Sequence, residues 1–400
     1  MKGRLRPVDY LAWAQTVPAG ARWDLTASGV PDTCGLASLA PQTAAPETDP
    51  RAASGERPAW PLLGTLGIQD LCRRDKRAEI LAGFLQTIAQ RYDVAPECVI
   101  PTLGASGAIT QVLFALARPG DHVIVERPTY EPLHRVPEML GLNVSRLERK
   151  FEERWEPLPD RLARLLTPKT RAVILSSLHN PSGVALETAT LEAIGEMAAR
   201  VGALVLVDEV YLDFALASGA WRPAAVAIDN GVSWSSGTKC FGFSALRVGW
   251  VVTRDREAAQ AFRLASHYAH VDPPLPSLAI ATQVMRHAAE LEAIAGQAIE
   301  PARAIIDRWV AEESRVAWVP PSAGQTGLIR LPDLTPDLAF ARHLRDAYDT
   351  QVVPGTMFEA PGTVRVSFNL PSEALEQALA NISSALDDSL SGRVSGRALS

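Results

Sequence analysis

Short apolar runs alternate along the chain with longer stretches in which apolar residues recur at helical spacing. The helical pattern is clearest over residues 80–92, where Ile80, Phe84 and Ile88 fall on one side. Strands that alternate with helices favour a mainly parallel sheet with helices on both faces. The predicted buried strands are residues 122–125, 172–175, 203–207 and 232–234, and predicted helices end near 117 and span about 186–201.

The C-terminal third carries the pattern of a smaller α+β domain. We expect a long helical stretch over 278–315 that breaks near Pro301, because proline removes a helical hydrogen bond. Strands at 328–331, 352–358 and 364–368 and a helix at 338–349 complete the pattern. The predicted organisation is an N-terminal segment, 1–58, that packs with the small domain, a large domain, 59–275, a small domain, 276–388, and a disordered tail, 389–400.

Composition limits the classes of protein that this chain can be. Its 400 residues, 47% hydrophobic and 21% charged, are enough for a large domain and a smaller companion. A net charge of −6 gives no electrostatic reason to bind nucleic acid. The four scattered cysteines argue against a disulfide framework. Since neither a secretory signal nor an apolar run of membrane length is recognisable, we expect a cytoplasmic protein with no membrane partner.

Three charged residues stand at informative positions. Lys239 follows a predicted strand among small residues, where an amine can be desolvated and become nucleophilic, although a surface loop lysine would look similar. Arg247, eight residues later, offers a planar fork for a carboxylate or a phosphate. Asp208 follows five apolar residues, so it either meets a cationic partner or caps the next helical turn.

Further polar residues follow other predicted strands. Ser106 lies in a Gly/Ser turn that opens a helix, which suits either an anion or a simple N-cap. Tyr130 could stack on a planar ligand or only pack, and Asn180 follows a strand end where ligands bind in open α/β sheets. In a parallel sheet, Ser106, Tyr130, Asn180, Asp208 and Lys239 all leave at one edge, which predicts one site.

Taken together, these motifs resemble the class I/II aminotransferases, which are pyridoxal-phosphate enzymes of fold type I. The resemblance runs from about residue 80 to the end, and the N-terminal residues 28–29 match more loosely. It implies a three-layer α/β/α large domain with a mainly parallel sheet plus a smaller α+β domain. The segments that carry it are 104–106, 128–130, 180–183, 208–211, 236–239, 247–249 and 363–368.

The resemblance also implies a role for each residue. Lys239 forms the Schiff base with the aldehyde of pyridoxal 5′-phosphate, an internal aldimine, and later shuttles a proton at the substrate α-carbon. Asp208 pairs with the protonated pyridine nitrogen, and Arg365 binds the substrate α-carboxylate in a bidentate manner. Asn180 and Tyr211 donate to the ring O3′, Tyr130 stacks on the ring, Ala105, Ser106, Ser236 and Arg247 bind the phosphate, and Gly29 and Asn180 contact the substrate.

The sequence departs from the family pattern in three places. Gly237 stands where a branched or aromatic residue is frequent, and residues 67–71 include extra positions. A tyrosine that commonly reaches the neighbouring subunit's phosphate is absent from residues 61–77, so a residue of 60–66 could take its place. We nevertheless expect a homodimer, because the N-terminal segment carries apolar residues with few partners of their own (Leu11, Trp13, Trp23 and Leu25).

An aminotransferase that acts on an amino acid and a keto acid is the function these expectations favour. β-Elimination, decarboxylation, oxidation and cyclisation use the same constellation and remain open. A non-catalytic regulator is less favoured, because the first 58 residues are too short and too poor in basic helices for a DNA-binding module. Neither substrate is identified, although His267, His270 and Arg22 are candidates for binding a side-chain carboxylate.

Overall fold

A computed structural model describes residues 6–16, 21–30, 74–216, 221–333 and 335–391. The N-terminal part contains helix α1, Asp9–Thr16, and the short strand β1, Trp23–Asp24. Leu25, directly after β1, is fully buried in a cluster formed by C-terminal helices and strands. Residues around Leu25 therefore pack on the C-terminal region of their own chain. The apolar side chain of Leu25 no longer supports the expected packing on a neighbouring subunit.

A seven-stranded sheet organises the larger part of the chain. Its order is β2–β8–β7–β6–β5–β3–β4, and the five strands from β7 to β4 are parallel, whereas β8 runs antiparallel to β7 and β2. The mainly parallel sheet is thus confirmed. The strands are β2 Val99–Thr102, β3 His122–Arg127, β4 Asn143–Glu148, β5 Thr170–Ser176, β6 Leu204–Asp208, β7 Gly231–Ser236 and β8 Gly249–Thr253.

Helices cover both faces of this sheet because its strands are apolar on both sides. Val123 and Val125 pack on one face with Phe262, while Ile124 packs on the other with Ile194. The three-layer α/β/α arrangement is therefore confirmed. The helices are α2 Arg77–Tyr92, α3 Gly104–Leu116, α4 Pro132–Met139, α5 Pro159–Ala163, α6 Thr188–Ala199, α7 Asp213–Leu216, α8 Ala224–Ala227, α9 Arg256–Ala269 and α10 Leu275–Arg286.

The C-terminal part combines a small antiparallel sheet with three helices. The sheet order is β12–β13–β10–β9, and the short strand β1 pairs in parallel with β11. The described helices were also searched for membrane spans, and none is both long and apolar enough to cross a bilayer. The elements are α11 Ala288–Glu312, β9 Ala317–Trp318, β10 Thr326–Arg330, α12 Asp337–Tyr348, β11 Thr350–Gln351, β12 Val353–Pro354, β13 Thr363–Ser367 and α13 Ser372–Leu390.

Two local predictions were wrong, and one of the open alternatives is excluded. The helical stretch breaks at His287, and α11 continues through Pro301, because packing around Ala302 and Ile306 offsets the hydrogen bond that proline removes. Ser106 is not an N-cap, since α3 already begins at Gly104. The strand expected over 352–358 ends at Pro354, and a 3-10 turn follows.

The domain boundary remains a proposal. Leu278 and Val284 of α10 lie in the same core as Phe84 and Trp250 of the large domain. Ile306 of α11 belongs instead to the C-terminal core. We therefore propose that the large domain ends within α11 rather than at residue 275. Residues 31–58 of the predicted N-terminal segment and 392–400 of the predicted tail lie outside the described residues.

Gly249 provides a test of how closely β8 approaches the start of α3. A Cβ atom at this position would lie 2.6 Å from the Gly104 carbonyl carbon. We expect Gly249→Ala to lower the free energy of unfolding by about 1–3 kcal/mol in a urea titration, because backbone must move. Gly296→Ala is the matched control, since its Cβ would meet nothing within 4 Å. Equal urea midpoints for the two variants would contradict this reading.

Candidate active site

A cavity of about 320 Å³ lies at the carboxyl ends of the parallel strands. Helix α1 contributes Tyr10 and Leu11 to its wall. Two predicted residues adjoin the lining: Arg365 bonds to Asn180, and Gly29 packs against Lys239. The structure therefore brings the whole predicted set together. The predicted residues that line the cavity directly are Ala105, Ser106, Tyr130, Asn180, Asp208, Tyr211, Ser236, Lys239 and Arg247.

Lys239 lies just beyond the end of β7, and a residue of the N-terminal segment binds its amine. Lys239 Nζ donates a hydrogen bond of 2.8 Å to Ser28 Oγ and lies 5.7 Å from the centre of the Tyr211 ring. A Cβ on Gly29 would lie 3.3 Å from the Lys239 Cα, so the chain passes close over the lysine. Val30 N–H also donates to the Lys239 carbonyl at 2.9 Å. A small residue at position 29 therefore permits the N-terminal segment to close on this amine.

Asp208 ends β6 and is buried at the floor of the cavity. Burial raises the pKa of its carboxyl to about 6, and the Val210 N–H, 3.3 Å from Oδ1, opposes that rise. Lys239 opposes the rise less than this hydrogen bond does. A carboxylate in such surroundings favours a cationic group placed directly against it.

The start of α3 forms a cradle for an anion. Gly104 adopts a φ of +66°, and a Cβ there would lie 2.8 Å from Arg247 Nη2, so only glycine leaves room for the guanidinium. Ala105 and Ser106 occupy the first helical turn, whose backbone N–H groups have no partner within the helix. Ser236 at the end of β7 completes this wall of the cavity. Positive charge, helix dipole and hydroxyl groups together fit a phosphate.

Arg365, on β13, is fully buried. Its Nη1 donates to Asn180 Oδ1 at 3.1 Å, and its Nη2 donates to the Thr26 carbonyl at 2.9 Å and contacts the Tyr10 hydroxyl at 3.4 Å. Its Nε has no hydrogen-bond partner among the described residues. All three acceptors are neutral, so the guanidinium charge is hydrogen-bonded without being neutralised. A carboxylate is the ligand that such a site favours.

A buried ion pair supports the strand ends behind the cavity. Glu126 of β3 and Arg149 have no exposed side-chain surface, and Glu126 Oε2 lies 2.6 Å from Arg149 Nη1. Glu126 also accepts a hydrogen bond from Ser176 Oγ, which in turn accepts one from Asn180 N–H at 3.4 Å. Burial raises the pKa of the Glu126 carboxyl, and Arg149 opposes that rise. This network joins the ends of β3 and β5 and so fixes the segment that carries Asn180.

The sequence interpretation missed several of these residues. Tyr10, Ser28 and the Glu126–Arg149 pair carry no recognisable spacing, because their partners lie far away in the sequence. The available signal for Glu126 was its place in β3, where it directly follows the three apolar residues 123–125. The predicted neighbour-contacting segment 60–66 lies outside the described residues.

The three candidates for binding a side-chain carboxylate lie elsewhere. The Arg22 guanidinium stacks 4.7 Å above the Trp23 ring and is exposed. His270 Nε2 faces Gln111 Oε1 at 3.2 Å, and His267 is exposed on α9. None of the three lines the cavity.

Comparison with known proteins identifies the class. Residues 74–382 match the family model described as aminotransferase class I and II, so the chain belongs to that family. It is an aminotransferase that depends on pyridoxal 5′-phosphate, and its relatives do not favour the other reactions that the sequence left open.

Individual relatives agree with this assignment. Arginine–pyruvate transaminase AruH of Pseudomonas aeruginosa is 30% identical over 320 residues, which cover 77% of this chain and 80% of that protein. Aspartate/prephenate aminotransferase of Thermus thermophilus is 28% identical over 300 residues, covering 72% and 74% of the two chains. The crystal structure of a PLP-dependent aminotransferase from Streptococcus suis superposes with a TM-score of 0.80 at 27% identity and covers 100% of both chains.

Asp208 predicts a specific pH dependence of stability. Its folded pKa of about 6 lies above the unfolded value of about 3.9, so the folded protein binds the proton more tightly and loses stability as pH rises from 4 to 6. Asp208→Asn cannot ionise. In cofactor-free protein, we expect the variant to gain up to about 3 kcal/mol relative to the parent between pH 4 and 7, as measured by urea unfolding. Saturating cofactor should reduce that gain, and a pH-independent difference would contradict the burial argument.

Proposed function

We propose that this chain transfers the amino group of an amino acid to a keto acid at the cavity described above. The observation that carries the proposal is that Lys239, Asp208 and the anion cradle of α3 border one cavity, with Arg365 adjoining it through Asn180. Lys239, Asp208 and the anion cradle match three parts of the cofactor, namely its aldehyde, its ring nitrogen and its phosphate.

The residues present fit pyridoxal 5′-phosphate. Arg247, Ser106, Ser236 and the N–H of Ala105 would hold the phosphate, and Asp208 would pair with the protonated ring nitrogen. Tyr130 would lie on the ring face, while Asn180 and Tyr211 would donate to the ring hydroxyl. When bound, this cofactor supplies an electron sink for the charge that develops at the α-carbon of the amino acid.

The protein itself supplies positioning and proton movement. Lys239 would hold the cofactor, and its amine would remove and return the α-proton of the substrate. Ser28 orients that amine through the 2.8 Å hydrogen bond. Arg365 and Asn180 fix the substrate α-carboxylate and so place the α-proton against Lys239.

Chemical labelling tests the assignment of Lys239. The purified protein should be yellow, and borohydride reduction followed by peptide mapping should place the cofactor mass on Lys239. Lys239→Ala should abolish both the label and turnover, because no other cationic amine lines the described cavity. Lys169→Ala, an exposed lysine, is the control and should behave like the parent. A label on a different lysine would overturn the assignment.

We further propose that the enzyme is a homodimer. Phe114 of α3 and Leu264, Tyr268 and Val271 at α9 form an exposed apolar patch, with 53%, 55%, 77% and 57% of their surfaces accessible. The Phe114 and Tyr268 rings lie 6.1 Å apart, so the residues from the two helices are neighbours. A second copy is the occupant we propose, because closed two-fold dimers bury such surfaces in pairs.

Light scattering at micromolar concentration should give twice the chain mass. Leu264→Glu should raise the dimer dissociation constant at least about tenfold, because a charge would be desolvated at the interface. Leu338→Glu is the matched control, since Leu338 is exposed but lies on α12. A fully active monomer, or equal effects of the two substitutions, would contradict the proposed interface.

A further inference from the structure

Helix α1 contacts the candidate site through Tyr10. The Tyr10 side chain lies between Tyr130, which follows β3, and the C-terminal residues Phe358 and Arg365. The Tyr10 ring packs edge-on to Tyr130 at 5.5 Å and lies 5.3 Å from Phe358. Its hydroxyl is 3.4 Å from Arg365 Nη2, and the Arg365 guanidinium lies 5.8 Å from the centre of its ring. Tyr10 therefore contacts the carboxylate-binding arginine directly while it borders the cavity.

The backbone of α1 is held in place independently of that contact. Tyr10 N–H donates to Glu131 Oε2 at 2.6 Å, in the first turn of the helix. Glu131 is buried and also accepts from Arg135 Nε at 2.8 Å. A carboxylate at a helix N-terminus stabilises the helix through its free N–H groups and its dipole. The position of Tyr10 over Arg365 is thus fixed from the large domain.

The charges around the cavity leave room for one carboxylate of the substrate. Among the described residues that line it, the cations are Lys239 and Arg247, and Arg365 adjoins it. In the proposed function Lys239 and Arg247 would serve the cofactor aldehyde and phosphate, which leaves Arg365 for the substrate. Asp208 is the one carboxylate among the described lining residues, and it serves the ring nitrogen. No described lining group therefore remains for a charged substrate side chain of either sign.

The rest of the lining near α1 is apolar. Leu11 and Ala14 of α1 face the same cavity as Ile109 of α3 and Pro132 and Leu133 at the start of α4. Ile109 and Leu133 are almost fully buried. A charged side chain placed against such a wall would lose its hydration without gaining a partner, whereas an apolar one would gain by burial.

We infer that Tyr10 is a positioning residue for the substrate α-carboxylate and that helix α1 selects amino acids with a single carboxylate and an uncharged, apolar side chain. The inference rests on the proposed aminotransfer at this site. The Tyr10 hydroxyl then donates to the carboxylate held by Arg365, and Leu11 and Ala14 contact the side chain of the amino acid.

Binding of unreactive acids tests this selection without turnover. We would titrate the cofactor-loaded enzyme with 4-methylpentanoate and with succinate by isothermal calorimetry. The parent should bind 4-methylpentanoate at least about tenfold more tightly, because succinate must desolvate a second carboxylate. Tyr10→Phe should raise the dissociation constant for 4-methylpentanoate roughly three- to tenfold, because one hydrogen bond to the carboxylate is lost. Tighter binding of succinate by the parent would overturn the inference.

A matched pair of charge substitutions tests the wall itself. Leu11→Arg places a guanidinium at the cavity. It should raise the affinity for succinate relative to that for 4-methylpentanoate by about tenfold. Ala12→Arg adds the same charge at an exposed position of α1 that does not line the cavity, and it should leave the ratio unchanged. Equal ratios in the two variants would overturn the role of α1.

Spectra with amino acids separate this inference from the proposed function. Leucine and methionine should convert the cofactor to its amine form faster, in kcat/KM, than aspartate, glutamate or arginine. Preference for a charged amino acid would overturn the substrate class and leave aminotransfer intact. Absence of conversion by every amino acid would overturn the proposed function itself.

Discussion

The buried guanidinium of Arg365 connects the parts of the molecule that make the site. It reaches Asn180 beyond β5 of the seven-stranded sheet, the Thr26 carbonyl of the N-terminal segment and the hydroxyl of Tyr10 on α1, while its own strand, β13, belongs to the four-stranded sheet. Each contact leaves the charge unneutralised, because every acceptor is neutral. A rigid and partly satisfied arginine is thereby presented in a fixed direction, which is what bidentate recognition of a carboxylate requires.

The other half of the site depends on the sheet. Asp208, Asn180 and Lys239 lie at one edge of the sheet because they follow the carboxyl ends of parallel strands. The antiparallel β8 packs Gly249 against Gly104, and Arg247 lies beside the start of α3. The Glu126–Arg149 pair ties neighbouring strand ends together beneath this edge. Fixed strand ends matter because catalytic groups lose effectiveness when they shift by about 1 Å.

Sequence reasoning located charged residues that follow apolar strands. Lys239 and Asp208 are chemically unusual after apolar strands, so their positions could be predicted. Tyr10, by contrast, is an ordinary residue of a short helix, and its importance comes from a contact with Arg365 that spans 355 positions. The direction of β8 and the continuity of α11 through Pro301 likewise follow from tertiary packing, which overrides local preference.

The two unneutralised charges of the site have a common physical meaning. Burial raises the pKa of Asp208 to about 6, and Arg365 lies fully buried among neutral acceptors. Each charge costs folding stability that a neutral residue would not. In the proposed function this cost would give selectivity, because a protonated ring nitrogen would neutralise the charge of Asp208 and a carboxylate would neutralise that of Arg365. With Asp208 made neutral, the cofactor-free chain would be more stable near neutral pH, but the proposed site would lose its electrostatic preference for a protonated ring nitrogen.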